Sequence, residues 1–293
     1  MRIVPFGVNY PSRSPAAAAV GPKQAEDFGG RFPWVCLGDD EEQESPEFLI
    51  CNLALGDIRN NLRALLTMEG RVHVETYLAA AGVLAGFAAQ RALFERLSEL
   101  SAERRVGQVM VTMTRAGEKF FFGDMLNDAL IARRDEEKRL KVWPLAFDAA
   151  FSAGMQRASA PKLETLFGYV AGQISEPFYP SADARPGAPA KDLLTLFWPL
   201  ARQAFEGRLT ARMLPEEEPR AVSQHWRPVI LAFLAVDCLL EAAKIMQPSK
   251  ALAILMESAI YGSKIDPAAV EGGGREAEGG RREARRRGGA RRA

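Results

Sequence analysis

"GRVHVETYLAAAGVLAGFAAQRALFERL", residues 70–97, decides how this chain is read. It opens on His73, one of only two histidines, in a His-x-Glu with Glu75, and continues as a run of small and apolar residues. Gly82 and Gly86 stand one helical turn apart, with Ala81, Ala85, Ala88 and Ala89 around them, so a helix here has a face almost without side chains. Such a face lets another backbone come close, and the same geometry can border a ligand or a second subunit. We expect a close-packing helix of a soluble core, with Gly82 and Gly86 at the contact.

Residues two apart point to different sides of a helix, whereas Glu69, His73 and Tyr77 share one line. Glu69 or Tyr77, rather than Glu75, is therefore the expected local partner of His73, which reads as a hydrogen-bonded helix-start residue. His-x-Glu is also half of the zinc deaminase signature, but the second half, Pro-Cys-x-x-Cys, is missing. There is no His-Glu-x-x-His, and His73 and His225 alone cannot make a three-histidine site. No metal and no other cofactor is expected.

The surrounding sequence is that of a folding chain. With 293 residues, 47% apolar and 26% charged, it can bury a sizeable core. Its net charge of +1 hides an asymmetry: from Glu271 onward eight Arg face four Glu, so this end carries +4 and the rest −3. Cys36, Cys51 and Cys238 are odd in number and far apart, which suits neither a disulfide framework nor a zinc site and points to the reducing cytoplasm. The longest apolar stretch, "VILAFLAVDCLLEAAKIM" from Val229, is interrupted by Asp237, Glu241 and Lys244, and reads as a buried soluble helix rather than a membrane span.

Prolines and an acidic run through residue 44 predict an extended, partly disordered arm over 1–44. Order is expected from "SPEF", where Ser45 caps and Pro46 starts a helix whose stripe is Cys51, Leu55, Ile58, Leu62 and Leu65. The helix opened by His73 runs to about Ala102. "VMVTMT" (Val109–Thr114) and "KFFF" (Lys119–Phe122), joined by "RAGE", predict a β-hairpin, and Asp124 then caps a helix through Leu140. Further helices are expected over Val142–Gln156, Pro161–Ile174, Ala190–Gly207, Pro228–Met246 and Ser249–Tyr261, the last stopped by Gly262. The class is mainly α, a multi-helix orthogonal or bundle-like domain over 45–265 with one inserted hairpin, followed by a disordered Arg/Gly-rich tail over 266–293.

A second cluster is "FFFGDMLNDAL". Asp124, Asn127 and Asp128 fall in the first turns of a helix, where free N–H groups and the dipole favour an anion or ligand, although helix capping explains them equally simply. His225 and Trp226 precede the long apolar helix and either line a pocket or seal the end of the core. Asp237 is expected on that helix's polar stripe with Glu241 and Lys244. Neither phosphate-loop motif nor a Gly-x-Ser-x-Gly elbow occurs, so P-loop nucleotide hydrolysis and serine hydrolysis have no positive support.

These readings favour an interaction or small-ligand-binding module that forms a homo-oligomer, with no membrane partner. The competing reading is an enzyme for a small polar substrate, with His73, Asp124 and Asn127 in one site. Nucleic-acid binding through the arginines of the tail ranks third, because no aromatic residue accompanies them.

Overall fold

A computed structural model describes residues 46–68, 70–99, 107–131, 140–174, 177–180, 186–207 and 221–271. The arm over 1–44, Ser45, Glu69 and residues 272–293 of the tail lie outside the described residues. The fold is mainly α. Its helices are α1 (Pro46–Leu66), α2 (Val74–Ser98), α3 (Asp124–Ile131), α4 (Val142–Ser152), α5 (Leu163–Gln173), α6 (Ala190–Phe205), α7 (Trp226–Ala242), α8 (Pro248–Gly262) and α9 (Pro267–Glu271). A hairpin of β3 (Met110–Met113) and β4 (Lys119–Phe122) is inserted between α2 and α3, as the sequence predicts. A second, very short ladder, β1 (Thr67–Met68) with β2 (Arg71–Val72), turns the chain at Gly70 between α1 and α2.

The stretch that opens the sequence reading is the axis of the molecule. Every residue from Thr76 to Gln90 of α2 is buried, because α8, α7, α6 and α3 pack around it. This helix is long and apolar enough to cross a bilayer by length and composition, yet 83% of its apolar window is buried inside the protein. Its small face meets α8. A Cβ on Gly86 would run into the carbonyl oxygen of Ala259 and lie 2.6 Å from that carbonyl carbon. One on Gly82 would strike the Leu255 carbonyl and come within 2.9 Å of the Ser258 Cβ. The relation is reciprocal, since a Cβ on Gly262 of α8 would strike the carbonyl of Val83.

One expectation is corrected here. Gly82 and Gly86 do not border a second subunit or a ligand, because α8 of the same chain covers them. Gly262 is the last residue of α8, where the sequence places the helix end, and it keeps a position where only hydrogen fits. Since 82 meets 255, 86 meets 259 and Gln90 donates to the carbonyl of Ile265 at 2.9 Å, α2 and α8 run parallel.

The other described boundaries differ by a few residues, while the predicted continuation of α2 to Ala102 and of α3 over 132–139 lies outside the described residues. In α1 the stripe Cys51, Leu55, Ile58 and Leu62 is buried as expected, but Leu65 is exposed at the helix end. Order also continues past Asp266: α9 buries Pro267 and Val270, and Glu271 pairs with Arg91 at 3.2 Å, so the tail begins later than its composition suggests.

Asp237 is a further correction. It does not stand in solvent but meets Arg59 of α1 at 3.5 Å, and one turn on Glu241 meets Arg63 at 3.1 Å, a two-rung ladder between parallel α1 and α7. Burial outweighs the attraction of Arg59 and pushes the Asp237 carboxyl up to about 6. The folded chain then takes up this proton at a higher pH than the unfolded one, so this residue contributes stability as pH falls from above 6 towards 4. Asp237→Asn should abolish that gain and raise stability at pH 7 by about 1–2 kcal/mol, read from urea midpoints at pH 7 and pH 4.5.

Candidate functional site

His73 is the N-cap of α2. Its Nδ1 accepts the Thr76 N–H at 3.4 Å and lies 2.7 Å from the Thr76 hydroxyl, which itself accepts the N–H of Gly187 at 2.7 Å. The network closes when Nδ1 is the acceptor and the Thr76 hydroxyl donates to it. The side-chain partner of His73 is thus Thr76, with the Glu75 carboxylate 3.9 Å away, while Tyr77 meets it only by donating its backbone N–H to the His73 carbonyl at 3.0 Å. One turn along, the Tyr77 ring is buried and its hydroxyl faces the Cys238 thiol, where desolvation pushes the ionisation of both groups up. Cys51 and Cys238 are both buried and neither is in a disulfide.

Asp124, Asn127 and Asp128 come together on α3, at the other end of the molecule. Leu126 packs against Leu93 and Leu97 near the end of α2. His73 lies 20 residues before Leu93 on one continuous path, which at 1.5 Å per residue separates it from α3 by roughly 25–30 Å. His73 therefore does not share a site with Asp124 and Asn127, and a three-residue catalytic constellation is not assembled.

What Asn127 meets instead is Lys264, a residue sequence reasoning passed over. Lys264 is 3% exposed, and its ammonium donates to Asn127 Oδ1 at 2.7 Å. It stands 5.8 Å from the ring centre of Phe122 and 5.9 Å from that of Phe167. Burial lowers its pKa to about 7, with the Asp124 carboxylate working the other way. The only sequence signal for it was a lysine directly after an apolar helix, in "IYGSKID", a pattern shared with ordinary helix ends.

Lys264 also anchors the hairpin. Its carbonyl accepts the N–H of Phe121 at 2.8 Å, and Ile265 forms an isolated bridge with Phe120, so the outer edge of β4 is taken by the segment after α8. Phe120 is buried against Tyr261, and Phe121 meets Phe94 on the opposite side. β3 is different. All of its residues are exposed, with Met110, Val111 and Met113 at 56%, 55% and 62%. Among the described residues nothing pairs with its outer edge.

The direction of the free backbone groups follows from the register. Thr114 donates to Glu118 at 2.8 Å, which marks these two as a hydrogen-bonded pair. Pairs alternate along an antiparallel ladder, so Thr112 with Phe120 and Met110 with Phe122 are bonded in turn. Val111 and Met113 consequently aim their N–H and C=O groups outward. Phe121, opposite Val111, behaves as this requires, its N–H turned away to Lys264.

A pocket of about 200 Å³ lies beside the hairpin, lined by Glu118, Lys119, Phe120, Lys191 and Asp266 among others, with the Lys191 ammonium paired to the Glu118 carboxylate. His225 is exposed next to Ser223, and Trp226 packs beside it on the core at the start of α7. Among the described residues no group of three His, Cys, Asp or Glu side chains stands close enough to hold a metal ion. No protein-family model, curated protein or solved structure matches the chain.

Proposed function

We propose that this chain is a helical interaction module whose docking element is the outer edge of β3, which takes up an extended strand. The observation that carries this reading is the free apolar edge itself. Natural sheets guard such an edge with Lys, Pro, a bulge or a covering element, and Met110–Met113 has none of the first two and no described cover. An exposed cluster of large apolar side chains on one short strand marks a contact surface. Binding of a small ligand has less support, since the pocket beside the hairpin falls below the roughly 300–1,000 Å³ of ordinary ligand sites. The enzyme reading rested on His73 standing beside Asp124 and Asn127, and their separation leaves it without a site. That Cys51 and Cys238 are buried thiols outside any disulfide supports the cytoplasm as the compartment.

The test is a titration of the full chain with an extended peptide of the sequence Gln-Val-Met-Val-Thr-Met-Thr-Arg, followed by backbone amide NMR. Saturable shifts are expected at Val111 and Met113, whose N–H groups point outward. Val111→Pro removes one outward donor without touching the β3–β4 ladder, and should weaken the peptide at least about tenfold, or 1.4 kcal/mol. Equal binding by both chains, or none by the wild type at concentrations where it is monomeric, ends this reading.

A further inference from the structure

Resting on the reading of β3 as a docking edge, we propose that its partner is β3 of a second copy of this chain, paired antiparallel about a twofold axis at Thr112. Four features converge on this occupant. The first is parity. Outward N–H and C=O groups belong to Val111 and Met113, so a bonded pair between copies must join odd-numbered residues. Val111 opposite Met113 of the second copy, and the reverse, is the arrangement that uses both residues within the strand. Thr112 then faces itself across the axis in a non-bonded pair.

The second is charge. A twofold axis sets every residue against one from the same short stretch, so a charge near the axis meets its own kind. Met110–Met113 carries no charge, and in this register Arg115 falls opposite Val109 rather than near its own copy. The third is chemistry: the pairs are Val with Met, Thr with Thr and Met110 with Thr114, apolar or β-branched throughout, which suits cross-strand contacts. The fourth is closure. The outer edge of β4 is held by Lys264 and Ile265, leaving the hairpin one open edge among the described residues. Pairing consumes it in both copies, so growth stops at a dimer with a four-stranded sheet, two strands from each chain, instead of a fibre.

Single-cysteine variants read the register directly. Across a non-bonded antiparallel pair the Cα atoms are about 4.5 Å apart, within disulfide reach. Thr112→Cys alone is therefore expected to cross-link to a dimer under mild oxidation, well above the background that the native cysteines give in the wild type. Met110→Cys alone should not, because its own copy lies about four residues, roughly 13 Å, along the strand. Mixed with Thr114→Cys, it should.

Sedimentation equilibrium of the uncross-linked full chain supplies the second measurement. A monomer–dimer equilibrium is expected, shifted at least about tenfold towards monomer by Val111→Pro and by Met113→Lys. Thr112→Cys cross-linking no better than wild type, Met110→Cys cross-linking by itself, or a dimer indifferent to Val111→Pro overturns the proposal. So does assembly that grows beyond two. If the chain stays monomeric while the extended peptide still shifts Val111 and Met113, the second copy is wrong and the docking edge stands. If neither associates, both fall.

Discussion

Gly86→Ala is expected to cost this protein most of its stability, although alanine is the best helix former and glycine among the worst. On an open helix the exchange gains about 0.5–1 kcal/mol. At Gly86 the new Cβ would occupy the space of the Ala259 carbonyl, with backbone atoms on the far side at 2.6 and 2.8 Å. Backbone cannot rotate out of the way as a side chain can, so α2 and α8 must separate along their contact. Overpacking of this kind costs about 1–3 kcal/mol where side chains yield and more where they cannot. We expect a loss above 4 kcal/mol for Gly86→Ala, and somewhat less for Gly82→Ala, where the Ser258 side chain is part of the obstacle.

The control lies in the same molecule. Gly168 is exposed in the middle of α5 with nothing within 4 Å of a Cβ, so Gly168→Ala should stabilise by about 0.5–1 kcal/mol. Urea unfolding followed by circular dichroism measures all three variants. Gly86→Ala at or above wild-type stability would refute the packing of α2 on α8.

Raising the pH from 7 to 9 is expected to stabilise the wild type through Lys264. With a folded pKa near 7 against 10.5 for the free side chain, the folded chain releases this proton while the unfolded chain keeps it. Stability from this group therefore rises with pH above 7, at up to 1.36 kcal/mol per unit, or about 2–3 kcal/mol by pH 9. Below pH 7 both states hold the proton and the penalty for a buried ammonium is complete. Lys264→Met keeps the length and removes the charge. It should be at least as stable as wild type at pH 7 and should lose the slope. The same slope in both chains would mean that other groups carry the titration. Asn127→Ala should steepen the penalty at low pH, because it takes away the acceptor that holds the ammonium.

The elements of this fold were legible in the chain because each signal is local. Alternating spacings marked α1, β-branched and aromatic runs around Gly117 marked the hairpin, and proline or glycine marked most helix ends. Errors arose where a residue answers to something distant. Leu65 continues a perfect stripe but outlasts the helix it should face. Asp237 sits on a polar line, and only the position of α1 brings Arg59 to it. His73 aligns with Glu69 and Tyr77 along a helix, yet as an N-cap it turns back to the backbone it caps and to Thr76.

The candidate site divides in the same way. The sequence by itself pointed to α2 lying against another backbone, with Gly82 and Gly86 on an alanine-rich face, and left a ligand or a second subunit as alternatives. It also determined that two histidines cannot make a three-histidine site and that no Cys-x-x-Cys is present. Only the tertiary structure decided which backbone α2 meets, that the covering helix belongs to the same chain, and that His73 stands roughly 25–30 Å from Asp124 and Asn127. It alone made Lys264 unusual, by burying an ordinary lysine between two aromatic rings, and it alone left β3 with an open edge by filling the far side of β4 with Ile265. The physical reason is that helix and strand periods depend on neighbours a few residues away, whereas burial, pairing and exposure depend on elements whose separation along the chain exceeds a hundred residues, as for Asn127 with Lys264 and Arg59 with Asp237.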